Sequence, residues 1–229
     1  VWKPNLRLSG LDSDSSGKVN ASQKANVKED YHVHCNYNDH SSRDLTVENV
    51  VQHAKEIGLT TVAFTEHVRK TSPWIPEYLS EIASIHESDL RIIAGFEAKI
   101  LRDGSIDCLD RYADEYFIVA SFHTIFEDKE VWMQALERAI KNPNVDVIGH
   151  IAPEPSFVLS ENEMEDISSL ITKNGKIVEL NVKYHRPPID WLRIMKRNGV
   201  RFHLGSDAHS LQEIGRYETI SDLIAVLNE

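Results

Sequence analysis

From Tyr31 onward the sequence alternates short apolar runs with amphipathic stretches, and this alternation limits the fold more than any other feature. The apolar runs cover residues 30–35, 61–65, 91–100, 116–121, 145–149, 176–182 and 200–205 and read as strands. Helical patterns lie between them. Val47, Val50, Val51, Ala54 and Ile57 recur at helical spacing and stop at Gly58. Residues 76–87 place Leu79, Ile82, Ala83 and His86 on one face. Residues 129–141, 161–174, 188–198 and a stretch within 211–227 are also helical in pattern. Strands that alternate with helices are joined by crossovers, so they run parallel. The pattern predicts an α/β fold, either a barrel or an open doubly wound sheet. Neither GxGxxG nor GxxxxGK[ST] is present, so no glycine-rich nucleotide loop is expected.

The strand ends carry the chemistry. His32 and His34 share one face of the first strand, because successive side chains alternate, while Val33 and Cys35 face the core. The turn-rich run from Asn36 to Asp39 brings His40 back toward them. The second strand runs into Glu66-His67, the third into Glu97, the fourth into His123, the fifth into His150 and the seventh into Asp207-Ala208-His209. In parallel α/β folds the carboxyl ends of the strands gather on one face. Nine candidate ligands should therefore converge: His32, His34, His40, His67, Glu97, His123, His150, Asp207 and His209. Nine are too many for one tetrahedral ion, so two or three divalent metals with a bridging carboxylate are expected. Imidazole-rich donor sets suit zinc, iron or manganese. Such multi-metal sites generate hydroxide at neutral pH and clamp both oxygens of an in-line phosphoryl displacement. No side-chain nucleophile is called for: there is no GxSxG, and neither Cys35 nor Cys108 sits in a Cys/His arrangement.

Composition bounds the rest. The 229 residues are 41% hydrophobic, enough for one domain with a sizeable core. Two cysteines without a CxxC argue against a disulfide framework and for a reducing cytoplasm. The apolar runs are far too short to span a bilayer, so no membrane partner is expected. Residues 1–27 are polar and aperiodic and read as a flexible leader or linker before a domain over 28–229. The net charge of −11 argues against a long nucleic-acid track and favours a small phosphorylated substrate.

The motifs His32-x-His34, Thr65-Glu66-His67, Gly95-Phe96-Glu97-Ala98, Ser121-Phe122-His123, Gly149-His150 and Ser206-Asp207-Ala208-His209 stand in one order over residues 29–229. Together they resemble the PHP (polymerase and histidinol phosphatase) superfamily. The stretch from Gly95 to Cys108 also resembles the PHP module of microbial family X DNA polymerases. The resemblance implies a distorted seven-stranded (β/α)7 TIM-like barrel and a trinuclear centre. It implies that His32, His34, Glu97 and Asp207 hold one metal, and that Glu97 bridges to a second held by His123 and His150. His40, His67 and His209 would hold the third. Glu66 departs from the family pattern, in which many members carry Asp before the ligand histidine. The implied reaction is hydrolysis of a small phosphomonoester, such as histidinol phosphate or a nucleotide, by a metal-bridging hydroxide. A 3′–5′ exonuclease and a non-catalytic metal-bound module are the alternatives.

Arg69 and Arg186 follow the second and sixth strands and could grip a phosphate through two nitrogens. His53 and His86 fall on helices and read as structural, and His203 lies mid-strand. His185 lies in a loop on the active face.

Overall fold

The structure is a computed structural model that describes residues 25–151 and 157–229. Most of the leader read over residues 1–27 therefore lies outside the described residues. Of its last positions, Ala25 packs against the core and Val27 is exposed.

Seven parallel strands are hydrogen-bonded in chain order. They are β1 (Glu29–Val33), β2 (Thr61–Val68), β3 (Arg91–Lys99), β4 (Phe117–Ser121), β5 (Val147–Ile148), β6 (Ile177–Asn181) and β7 (Arg201–Gly205). The crossovers carry α1 (Val47–Glu56), α2 (Ile75–Ser84), α3 (Asp110–Ala113), α4 (Lys129–Lys141), α5 (Glu161–Lys173) and α6 (Ile189–Arg197). A final helix, α7 (Ser221–Asn228), follows β7. A doubly wound sheet reverses its strand order at a switch point, and this sheet does not, so the barrel is the outcome. It closes on itself between β1 and the residues after β7. Asp207 N donates to His32 O at 2.8 Å, His34 N donates to Ala208 O at 3.1 Å, and Val33 bridges Ala208 in parallel. The buried Asp30 carboxylate seals the seam below, accepting from the backbone nitrogens of Ser206 (3.0 Å) and Gly215 (2.9 Å). The result is a nearly closed seven-stranded TIM-like barrel.

Strand alternation sorts the side chains. Val62, Phe64, Phe96, Ile118, Ile148, Val178 and Leu204 face outward under the helices. The inward residues Ala63, Ile93, Phe117, Val119, Val147 and Ile177 form a separate apolar plug, with Tyr31 packed on it. β1 contains a bulge: Asp30 pairs with Val62 but Val33 pairs with Phe64, so one extra residue stands on β1. The bulge lets both Tyr31 and His32 face inward. Tyr31 stacks on His203 at 4.6 Å within the plug, while His32 leads the polar layer above it.

Helix starts follow their capping residues. Thr46 accepts from Asn49 N at 3.2 Å, Asp128 from Val131 N at 3.2 Å, and Ser160 forms a capping box with Glu163. Two expectations need correction. The helix read over 76–87 runs from Ile75 to Ser84 and buries Ile75, Tyr78 and Ile82, while Ala83 and His86 are exposed. Pro76 is tolerated in the first turn, where its missing N–H has no partner to lose. Tyr78 fixes the face by donating to Gly95 O at 3.0 Å. The second strand does not end at residue 65: Glu66, His67 and Val68 continue it, in register with Phe96, Glu97 and Ala98 of β3.

Candidate metal centre

The carboxyl ends of the strands converge on Glu97, which is buried at their centre. Its Oε1 lies 2.9 Å from His123 Nε2 and 2.8 Å from His150 Nε2. Its Oε2 lies 2.7 Å from His67 Nδ1, 3.5 Å from His32 Nε2 and 3.7 Å from His34 Nε2. Asp207 Oδ1 lies 3.2 Å from His34 Nε2 and 3.6 Å from His209 Nδ1. Three sets of donor atoms each fall within 4.8 Å of one another: His32, His34 and Asp207; His67, Glu97 and His123; His34, His67 and His209. His150 joins them through the shared Glu97 oxygen. His40 stands at the rim with its side chain 56% exposed, and its ring centroid is 5.0 Å from that of His67 and 5.1 Å from that of His209. Asp207 adopts φ 55, a left-handed conformation that aspartate tolerates better than most residues. The hydrogen bond from its N–H to His32 O anchors that turn at the barrel mouth.

Buried polar atoms are nearly always hydrogen-bonded. Here the buried His32 Nε2, His34 Nδ1, His150 Nδ1 and Glu97 Oε2 make no well-directed hydrogen bond, even though His67 Nδ1 approaches Glu97 Oε2 to 2.7 Å. Two of these atoms, His32 Nε2 and Glu97 Oε2, face each other in the cluster at 3.5 Å. Clustered imidazole nitrogens and carboxylate oxygens left unsatisfied are the donor set that divalent metals take. The charge balance agrees. Burial pushes the Glu97 carboxyl up, but His123, His32 and His67 outweigh it and hold it well below its ordinary value. Burial pushes His32 down, yet Glu179, Glu97 and Asp207 raise it well above the usual imidazole range. His34 is likewise buried, but the carboxylates of Asp207 at 3.2 Å and Glu66 at 3.5 Å bring it up to about 9. Without cations the cluster therefore keeps protons, with which a metal must compete.

A supporting layer aims these ligands. Glu179 Oε1 sits 2.6 Å from His32 Nδ1, which fixes the proton there and turns Nε2 to the centre. Its Oε2 accepts from His150 N at 2.8 Å and from Asn181 Nδ2 at 3.1 Å. Asn181 Nδ2 also donates to Asp207 Oδ2 at 3.1 Å. Gly205 makes room for this carboxylate, since a methyl there would collide with Glu179 Oε1 and with His32 Cβ. Glu66 accepts from the backbone nitrogens of Cys35 (2.9 Å) and His67 (2.8 Å) and from Asn38 Nδ2 (2.7 Å), bracing both ligand segments. Sequence reading passed over Glu179 and Asn181. Their signal was a buried polar alternation in Ile177-Val178-Glu179-Leu180-Asn181, on the one strand without a ligand of its own.

A cavity of about 570 Å³ opens over the cluster, lined by His40, His67, Glu97, His123 and Asp207 and by Arg69, Lys99, Lys183 and Tyr184. Arg69 therefore stands where its sequence position suggested. Arg186 is not among the lining residues; its backbone pairs with Asn181 and its Nη1 donates to His185 O at 3.3 Å. His185 turns to Asp222 at 2.9 Å. Lys183 Nζ lies 3.1 Å from His209 Nδ1 and 3.6 Å from Asp207 Oδ1. A second groove of about 790 Å³, between α1 and α2, is lined by none of the nine candidate ligands.

Residues 30–184 match the PHP domain family. The chain belongs to that family. Seven of the nine ligand candidates lie inside the matched PHP span, and contacts with His34 tie Asp207 and His209 to the same centre. A protein of Acetivibrio thermocellus named as a probable phosphatase is 30% identical over 211 residues, covering 85% of each chain. The DNA polymerase/3′-5′ exonuclease PolX of Bacillus subtilis is 26% identical over 235 residues; the match covers 94% of this chain and 40% of that protein. Among solved structures, histidinol phosphate phosphatase from Lactococcus lactis, complexed with zinc, L-histidinol and phosphate, matches with a TM-score of 0.66 at 22% identity. That match covers 87% of this chain and 92% of the other. Among the described residues, no helix is long and apolar enough to cross a membrane.

Proposed function

We propose that this PHP domain is a metal-dependent phosphatase of small phosphomonoesters, with two or three divalent ions held by the nine residues named above. Hydrolysis of phosphoric esters follows from family membership and from phosphatase-named relatives along most of the chain. The observation that carries the reading is Glu97, whose two oxygens are each approached by imidazoles from different strands. Such a carboxylate is placed to bridge two cations. In a trinuclear division His32, His34, Glu97 and Asp207 would hold one ion, Glu97, His123 and His150 a second, and His40, His67 and His209 a third. Bound divalent ions supply Lewis acidity toward phosphoryl oxygens and a nucleophilic water at neutral pH. Zinc suits an imidazole-dominated set, and manganese or iron fits the same donors.

The chain's own residues do the rest. Glu179 holds His32 and the His150 backbone in place, so the ligand geometry is set before substrate arrives. Lys183, beside His209 and Asp207, presents positive charge at the cavity wall, where an incoming phosphate is drawn and oriented. The similarity to PolX favours a second reading, 3′–5′ exonuclease action. The net charge of −11 weighs against it, because a polyanionic strand needs a basic track. The test is phosphate release from a panel of phosphomonoesters, cyclic phosphates and oligonucleotides, using protein loaded in turn with zinc, manganese and iron. Monoester hydrolysis is expected, with metal content of two to three ions per chain. Turnover confined to oligonucleotides selects the exonuclease, and no turnover with any metal refutes the enzymatic reading.

A further inference from the structure

The cavity holds more positive charge than a single phosphate requires. Apart from the ligands it is lined by Arg69, Lys99 and Lys183 against one acid, Asp107. Lys183 is engaged with Asp207 and His209. Arg69 and Lys99 are not so engaged: among the described residues neither head group has a carboxylate within ion-pair distance. Two acids stand in their neighbourhood, Asp39 and Asp107, and neither makes an ion pair with them. Asp39, fully exposed, is turned to His40 at 3.0 Å and feels Arg69 only at longer range. Asp107 Oδ1 accepts from Lys70 N at 3.1 Å.

Their position follows from the sheet register. The register runs from His67↔Glu97 to its last pair, Val68↔Ala98, so Lys99 ends β3 two residues beyond Glu97 and Arg69 is the first residue after β2 on the neighbouring chain segment. Two strand residues span roughly 7 Å, and adjacent strands are about 4.8 Å apart. Like charges held close together repel one another. An uncompensated pair beside a ligand cluster, in a protein of net charge −11, is a receptor for an anion.

We propose that Arg69 and Lys99 form a second anion site, so that the preferred substrate is a phosphate ester whose leaving group carries a further carboxylate or phosphate. This rests on the phosphatase reading above. The ester phosphate meets the ligand cluster, and the second anion lies about 7 Å away, a distance a short carbon chain or a pentose ring spans. Arg69 supplies paired N–H donors for it and Lys99 a point charge. A cationic leaving group such as that of histidinol phosphate meets two like charges at the same place.

The test compares kcat/KM for glycerol 3-phosphate, 3-phosphoglycerate, glycerol 1,3-bisphosphate and histidinol phosphate on the metal-loaded protein. The anionic esters are expected to exceed the neutral one by tenfold or more, with histidinol phosphate lowest, and added salt should narrow the gap. The two anionic arms separate a carboxylate from a phosphate as the group recognised. Lys99→Glu should reduce the anionic esters by tenfold or more, mainly through KM, lower glycerol 3-phosphate far less, and bring histidinol phosphate to the top of the order. Lys99→Met and Arg69→Met give the same discrimination without charge reversal should Lys99→Glu fold poorly. Hydrolysis with no preference among the four esters, or equal losses on all of them in these variants, overturns the second anion site alone. Failure to hydrolyse any ester overturns the phosphatase reading together with it.

Discussion

Replacing Glu97 with Gln is the sharpest test of the centre. The substitution keeps shape and hydrogen-bonding capacity but removes one negative charge, and leaves one oxygen where there were two. In the structure that charge faces imidazole nitrogens at 2.7, 2.8, 2.9, 3.5 and 3.7 Å. At such distances, and at an effective dielectric near 20, a full opposite charge gains roughly 4–6 kcal/mol from the carboxylate. Loss of even the lower figure from the transition state corresponds to about a thousandfold in rate. Turnover of a phosphomonoester should therefore fall by about three orders of magnitude, with metal content measured on the same samples and found reduced. Circular dichroism should show the barrel intact, because the packing around Glu97 is unchanged. His86→Gln, at an exposed loop position, should keep wild-type activity. Wild-type turnover by Glu97→Gln at full metal occupancy would refute the bridging role and the mechanism built on it.

Other outcomes follow from the same geometry. Metal bound at a hundred times its dissociation constant stabilises the native state by about 2.7 kcal/mol, so stripping it with a chelator should lower Tm by about 5–10 °C; an unchanged Tm would show that the cluster holds no tightly bound ion. His34, raised to about 9, is protonated in the metal-free protein at pH 7.5 and must be neutral to bind metal, so zinc titration at that pH should release protons, and the release should fade above pH 9. Calorimetry in buffers of different ionisation enthalpy measures this, and identical heats would refute it. Glu179→Gln should weaken metal binding by about 10–100-fold, the usual scale for a residue that orients a ligand, as read by competition with a chromophoric chelator. Gly205→Ala, which forces a methyl against Glu179 and His32, should lower metal content more than Gly175→Ala, where the added methyl meets nothing within 4 Å.

Much of this was legible in the sequence because its signals are local. Short apolar runs marked the strands, and α4 runs from Lys129 to Lys141 as its periodicity indicated. The convergence of histidine and acid side chains at the strand ends was readable because parallel topology alone brings those ends together. The parts that escaped depend on pairing. The sequence pattern ends the second strand at Thr65, yet partners on β3 hold Glu66 and His67 in the sheet. The bulge in β1 cannot be read from Tyr31-His32-Val33, since nothing in those side chains announces that two neighbours will face the same way. The four-residue α3 is too short to show a period. Tyr78 outweighed Leu79 on α2 because its hydroxyl has a backbone acceptor on β3. Lys99 carried no signal of its own within the third strand, and only the cavity shows that it shares a wall with Glu97.

The seam between β1 and β7 also has a consequence on the ribosome. His34 and Asp207 are 173 positions apart, and Asp30 and Ser206 are 176 apart. At roughly 5–20 residues per second, translation leaves the first two histidines waiting about 10–35 s for the aspartate that completes their set. During that interval a nascent chain offers a metal only a partial chelate. If the cluster holds metal as proposed, high-affinity capture would belong to the finished barrel, and ion loading would follow translation and mark chains in which β1 and β7 have met.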